Sequence, residues 1–207
     1  MKVILVNGSP HHHGCTYTAL DEVACELNKC GIETEHFWIG AKPVPGCIAC
    51  ARCGETGRCW YDADQVNAFV EKAASADGFV FGSPIYYAGI SGQMKSFLDR
   101  AFYHKAALYA NKPGAAVVSC RRGGASAGWD EINKYFGICN MPIATSQYWN
   151  QVHGNTPDEV RRDEEGMQTM RRLAQNMAWM LKCIEAGRKA GVPEPNVEPR
   201  VATNFIR

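Results

Sequence analysis

Residues 2–16 read KVILVNGSPHHHGCT, and this stretch decides the fold. Lys2–Val6 is a short apolar run ending at Asn7-Gly8, the pattern of a strand buried on both faces. The polar loop GSPHHHGCT follows. Beyond it Ala19, Leu20, Val23, Ala24 and Leu27 recur on one face of a helix, which Gly31 stops. A buried strand, a short glycine-bounded loop and an amphipathic helix form the opening unit of a parallel α/β fold.

The unit repeats outward. Ile32–Ile39 reads as a second strand, Asp62–Ala74 as a helix and Gly78–Phe81 as a third buried strand ending at Gly82-Ser83-Pro84. Ser91 is placed to cap a helix whose Met94, Phe97, Leu98 and Ala101 share a face. A turn at Asn111–Gly114 leads to a fourth strand, Ala115–Cys120, broken by Arg121-Arg122-Gly123-Gly124. Trp129–Cys139 fits a helix and Ile143–Trp149 a weaker fifth strand. Thr156-Pro157-Asp158-Glu159 starts a further helix, with Thr156 as N-cap, Pro157 at the first helical position and Glu159 closing a capping box. Met167, Met170, Leu173, Ala174, Met177, Leu181 and Ile184 form its stripe, which ends before Gly187. We expect one domain over residues 1–187 and a proline-punctuated tail over 188–207. Residues 41–61 have no apolar periodicity and form a cysteine-rich insertion.

Five alternations of strand and helix predict a parallel sheet covered on both faces. In such sheets ligands bind outside the carboxyl ends of the strands, where strand order reverses. Residues 8–17, 83–92 and 120–127 fall at those ends, and the cysteine loop lies at the same edge.

Composition bounds the function. The chain has 207 residues, 46% apolar and 21% charged, which suits one globular domain. Its 22 basic and 21 acidic residues leave a net charge of +1, so no electrostatic case exists for nucleic acid or an anionic membrane. No run approaches the roughly 18 apolar residues of a membrane span. The start lacks a secretory pattern, so the expected compartment is the cytoplasm, where ten cysteines do not form five disulfides. Cys15, Cys25, Cys30, Cys120, Cys139 and Cys183 are scattered, whereas Cys47, Cys50, Cys53 and Cys59 form one run, C-x2-C-x2-C-x5-C.

The first loop joins a buried strand to a helix N-terminus, whose free N–H groups and dipole suit an anion. Ser9 and Thr16 add hydroxyls. His13 and Gly14 stand where a Walker A loop needs glycine and lysine, so a monophosphate fits better than a triphosphate. His11, His12 and His13 read as exposed loop residues lending charge to a phosphate, with a metal site as the alternative.

Gly8-Ser9-Pro10 with Gly14-x-Thr16, then Gly82-Ser83-Pro84-Ile85-Tyr86-Tyr87, then Gly92-x-x-Lys95-x-Phe97-Leu98-Asp99-Arg100 resemble the NADPH-dependent FMN reductase family over residues 1–150 or so. The resemblance implies a flavodoxin-like three-layer sandwich with a five-stranded parallel sheet of order 2-1-3-4-5. It also implies bound FMN, a nicotinamide co-substrate, NADH or NADPH, and a homodimer or homotetramer. Carried over by position, it implies phosphate contacts from Ser9, His11, Cys15, Thr16 and Tyr17. Pro84, Ile85, Tyr86, Tyr87 and Gly89 would meet the ribityl chain and isoalloxazine ring, which needs an aromatic wall and backbone partners at its polar edge. Ser119, Arg121, Gly123 and Gly124 form the third loop, where a guanidinium would stabilise an anionic reduced ring. Arg122 reads equally as a solvated charge. Trp149-Asn150 and His153-Gly154 are placed to close the pocket.

Three cysteines at x2 spacing can wrap one face of a cubane, and a fourth five residues on can reach the remaining iron. The run is also similar to the compact cysteine motif of archaeal-type iron–sulfur flavoproteins. A 4Fe–4S cluster, a structural zinc and a metal-free loop all stand open. The expected function is an FMN-dependent oxidoreductase passing electrons from NAD(P)H to a small-molecule or protein acceptor. The alternative is an iron–sulfur electron carrier acting through a redox protein. Neither requires a catalytic side chain, because the flavin carries the chemistry.

Overall fold

The computed structural model describes residues 1–199 and 201–203. In chain order the elements are β1 Lys2–Asn7, α1 Cys15–Lys29, β2 Glu33–Trp38, α2 Arg52–Thr56, α3 Val66–Ala73, β3 Gly78–Tyr86 and β4 Gly89–Ile90. They continue as α4 Gly92–His104, β5 Gly114–Cys120, α5 Ala125–Ile138, β6 Gln151–His153, α6 Pro157–Arg162 and α7 Glu164–Lys189. The sheet runs β2-β1-β3-β5-β6, every pair parallel, with β4 folded back antiparallel on β3. Leaving out that short hairpin strand, the order is the expected 2-1-3-4-5. It reverses between β1 and β3, which puts the first two predicted loops side by side.

Strand alternation divides the interior into two cores. Val3, Leu5, Val80, Ala115 and Val117 face α1 and α7, whereas Ile4, Val6, Phe79, Phe81, Ala116 and Val118 face α3, α4 and α5. Every one of these strand residues is fully buried. The second core is aromatic. Phe69 of α3 sits at its centre, with ring centroids 5.4 Å from Phe37, 5.1 Å from Phe97, 5.8 Å from Phe81 and 6.1 Å from Phe79.

Several local expectations shift. The fifth strand is Gln151–His153, not Ile143–Trp149, and Ile143 makes one isolated bridge to Gly114. Ser146 Oγ accepts the Tyr148 N–H at 3.3 Å and donates toward Asn150 Oδ1 at 2.7 Å, a side-chain turn that competes with strand pairing. Residues 41–61 include the short helix α2, which opens after Ala51 at φ 58° and closes at Gly57 at φ 69°. Helix α3 begins at Val66, because Asp64 Oδ1 accepts the Val66 N–H at 3.1 Å and the residues before it serve the loop. Helix α5 starts at Ala125, earlier than expected.

The C-terminal helix starts as predicted, with Thr156 Oγ1 accepting the Glu159 N–H at 3.2 Å. It then breaks at Asp163, whose carboxylate accepts the Gly166 N–H at 3.0 Å and the His153 N–H at 2.6 Å. Helix α7 runs through Gly187 and stops where Gly191 takes φ 80°. No described helix is long and apolar enough to cross a membrane.

Truncating Phe69 to Ala removes the ring that all four neighbours touch. We expect a loss of about 3–5 kcal/mol in urea unfolding with an unchanged m-value.

Candidate functional site

The strand ends converge as their order demands. Gly8 follows β1, and its N–H donates to Gly82 O at 2.8 Å. A Cβ on Gly8 would lie 2.7 Å from Met94 Sδ and 2.9 Å from Gly82 O, so only glycine permits this approach. Asn7 shapes the loop from inside: Oδ1 accepts the Ser9 N–H at 3.0 Å and Nδ2 donates to His12 O at 3.0 Å. Trp38, at the end of β2, donates its indole N–H to Ser9 O at 2.8 Å.

Helix α1 then begins with no side-chain cap on Gly14. The N–H groups of Cys15, Thr16 and Tyr17 have no acceptor among the described residues. Beside them the buried hydroxyls of Thr16 and Ser119 pair at 2.8 Å. One of the two must donate, so the pair keeps one hydroxyl hydrogen to offer. Ser9 Oγ accepts the His11 N–H at 3.1 Å and likewise keeps its own hydrogen. Ser119, expected in the third loop, lies near the end of β5 with its hydroxyl turned to Thr16 at the start of α1. His12 and His13 lie against each other with ring centroids 4.1 Å apart, His12 stacked on Trp38 at 4.4 Å and His13 edge-on to Tyr17 at 4.7 Å. Among the described residues no three His, Cys, Asp or Glu side chains are grouped around a single ion.

Pro84, Ile85, Tyr86, Tyr87 and Gly89 form the β3–β4 hairpin. Its two turn residues, Tyr87 and Ala88, have φ 50° and 61°. Such turns ordinarily use Asn or Gly, because a Cβ in the left-handed region costs roughly 1–2 kcal/mol. Tyr86 and Tyr87 are exposed, so the strain serves no core packing. The start of α5 braces the hairpin. Gly124, at φ 88°, lies so close that a Cβ on it would be 2.6 Å from Ala88 Cα. Glu131 accepts the Ile90 N–H at 3.2 Å. Arg121, Arg122 and Gly123 are exposed beyond β5.

The closing residues divide. Gly154 donates its N–H to Cys120 O at 3.1 Å, and its carbonyl lies 3.7 Å from Cys15 Sγ, which places it beside the first loop. Asn150 is fully buried in the β5–β6 junction, where its O accepts the Val118 N–H at 3.0 Å. Trp149 is exposed.

The cysteine loop packs along α4. Cys47, Cys50, Cys53 and Cys59 all line one cavity of about 130 Å³. Ile48, Trp60 and Tyr103 form its exposed apolar rim, and the mostly buried ring of His104 closes another side. Ala49 and Ala51 turn the chain between cysteines at φ 51° and 58°. Burial pushes the Cys53 thiol up, and the other three thiols of the run add to the rise.

Two polar residues given no role from the sequence, Asn67 and Arg100, hold this loop. Asn67 of α3 grips the backbone of Cys59, accepting its N–H at 2.9 Å and donating to its carbonyl at 3.0 Å. Arg100 of α4 holds its sulfur: Nε and Nη2 donate to Cys59 Sγ at 3.3 and 3.2 Å. Nη1 donates to Asp64 Oδ2 and, at 3.4 Å, to Pro45 O, while Nη2 also reaches Tyr61 O at 2.8 Å. All five N–H groups are used. Burial disfavours the cation, but Asp64 and Cys59 outweigh it and keep Arg100 charged. The signal for Arg100 was available, since it falls on the face of Phe97 and Ala101, where a charge needs partners. The Arg100 and Asp64 side chains are 2% and 6% exposed. Replacing Asp64 by Ala therefore strands a buried cation, and urea unfolding is expected to show a loss of about 3–5 kcal/mol.

Residues 1–156 match the family described as NADPH-dependent FMN reductase. An iron-sulfur flavoprotein of Methanocaldococcus jannaschii is 33% identical over 193 residues, covering 89% of this chain and 100% of that one. The structure of RosB with bound 8-demethyl-8-formylriboflavin-5'-phosphate superposes with a TM-score of 0.69 at 16% identity, covering 100% of this chain and 94% of that one. A flavodoxin from the domain Archaea superposes with a TM-score of 0.60 at 16% identity, covering 88% of this chain and 99% of that one. With its flavodoxin-like fold and its match over residues 1–156, the chain belongs to the NADPH-dependent FMN reductase family.

Proposed function

We propose that this protein is an FMN-dependent oxidoreductase that takes electrons from NADPH or NADH and delivers them to a redox protein through a 4Fe–4S cluster on Cys47, Cys50, Cys53 and Cys59. The observation that carries the reading is the convergence of all four thiols of an irregular loop on one cavity. The likeness to an iron-sulfur flavoprotein supports it. A cubane is held at four separate corners, so its thiols stand apart. Zinc needs four thiolates about 2.3 Å from one point, and among the described residues no three such side chains are grouped for a single ion.

The first loop fits a flavin phosphate. Cys15, Thr16 and Tyr17 offer free N–H groups, Ser9 and the Thr16–Ser119 pair offer hydroxyl hydrogens, and His11 stands at the loop mouth. Pro84, Ile85, Tyr86, Tyr87 and Gly89 wall the ring, and the braced turn fixes the direction of their backbone groups. Gly123 and Gly124 let the third loop approach, and Arg121 brings a cation to it. When bound, FMN accepts a hydride and releases electrons singly or in pairs, and the cluster carries single electrons. The protein's share is to hold both groups and supply the positive charge. The proposal includes a cytoplasmic homodimer or homotetramer, supported by Trp179 standing exposed on α7.

A second reading, direct reduction of a small quinone, is favoured by the exposure of Tyr86 and Tyr87, which leaves the ring approachable. Anaerobic purification separates the two. About four irons per chain, with NADPH-driven reduction of cytochrome c that Cys59→Ser abolishes while quinone turnover persists, supports the cluster reading. A plain yellow spectrum after reconstitution rejects the cluster. NADPH oxidation no faster than free FMN rejects the reductase.

Gly124→Ala tests the hairpin brace. The clash with Ala88 and the positive φ are expected to weaken FMN binding by about tenfold, roughly 1.4 kcal/mol, in a fluorescence titration, with the far-UV circular dichroism unchanged.

A further inference from the structure

The cysteine cavity is electrostatically lopsided. Cys59 Sγ accepts two N–H groups from Arg100, at 3.3 and 3.2 Å. Among the described residues no side chain donates to the sulfurs of Cys47, Cys50 or Cys53. On its far side the guanidinium is paired with Asp64. The Tyr61 ring lies under it, 5.3 Å from the guanidinium carbon. One corner of the site therefore faces a buried cation whose charge is partly balanced by a buried carboxylate.

We propose that the Arg100–Asp64 pair sets the reduction potential of the four-cysteine centre through Cys59, with Arg100 raising it and Asp64 moderating the rise. The inference rests on the cluster reading above. Reduction adds one electron, and so one negative charge, to the centre. No bond forms or breaks and no proton moves. Hydrogen bonds to a ligand sulfur and a nearby positive charge stabilise the added charge, more so where water is excluded. Asp64 opposes this from behind the guanidinium. Lysine cannot replace the arginine, because one point charge cannot span Cys59, Tyr61 O, Pro45 O and Asp64 in a plane. Arg100 acts here as a positioning residue, working through a ligand.

The fastening role of Arg100 and its electrostatic role make different predictions. A fastener alone alters how much iron the protein keeps, and losing either partner harms it alike. An electrostatic control gives shifts of opposite sign.

The test is a dithionite titration of anaerobically purified holoprotein, followed by electron paramagnetic resonance and visible absorption. Wild type is compared with Asp64→Asn, Arg100→Lys and the double variant Arg100→Gln/Asp64→Asn, which leaves no stranded charge. The expected result is a higher cluster midpoint for Asp64→Asn and a lower one for both arginine variants, at about four irons per chain. The flavin midpoint is expected to stay in place, which excludes a general disturbance. If the arginine variants hold no iron, Asp64→Asn decides alone: an upward shift supports the inference, and an unchanged or lower midpoint overturns it. Shifts of the same sign in both single variants also overturn it. Iron-loaded proteins with unmoved midpoints remove this inference and leave the cluster reading standing. A wild-type protein that takes up no iron removes both.

Discussion

A guanidinium taken out of water must find partners for five N–H groups and for its charge. Arg100 meets that demand within the cysteine loop and its continuation, from Pro45 on one arm to Cys59, Tyr61 and Asp64 on the other. The segment has no apolar periodicity and no long helix to order it, so these bonds are its core. Asn67 completes them by holding the peptide groups of Cys59. Four thiols share one cavity because two buried polar side chains on α3 and α4 hold the far arm of their loop against the body.

The same helix reaches the other site. The α4 cap, Ser91, donates its hydroxyl to Gly8 O at 2.9 Å, and Met94 packs where only glycine fits at position 8. Nine residues separate Ser91 from Arg100, roughly 14 Å of helix. Helix α4 thus holds the first loop at its start and the cysteine loop at its third turn. Any shift of this helix moves both loops, which ties their geometry to one rigid element.

Much of the fold was legible because its signals are local. Val3, Ile4, Leu5 and Val6 read as a doubly buried strand and are one, split between two cores. Ser91 and Thr156 cap the helices they precede. The fifth strand was misplaced because a hydroxyl at Ser146 bends an apolar-looking segment, and strand pairing passes to a shorter run around Val152. The first loop and the hairpin were legible as breaks at the carboxyl ends of strands from their glycines and prolines. The strain at Tyr87 and Ala88 was not, since neither residue type announces a left-handed turn.

By itself the sequence determined the alternation of strand and helix, the parallel sheet and the grouping of four cysteines in one loop. All of these follow from spacing along a few residues. Only the tertiary structure decided that Thr16 meets Ser119, 103 residues away, and that Arg100 meets Cys59, 41 residues away. It also decided that the Ser119 hydroxyl turns toward the start of α1. Such contacts follow from which side chains the packed layers bring together, and from the need of every buried donor and charge for a partner. Local spacing carries no record of that choice.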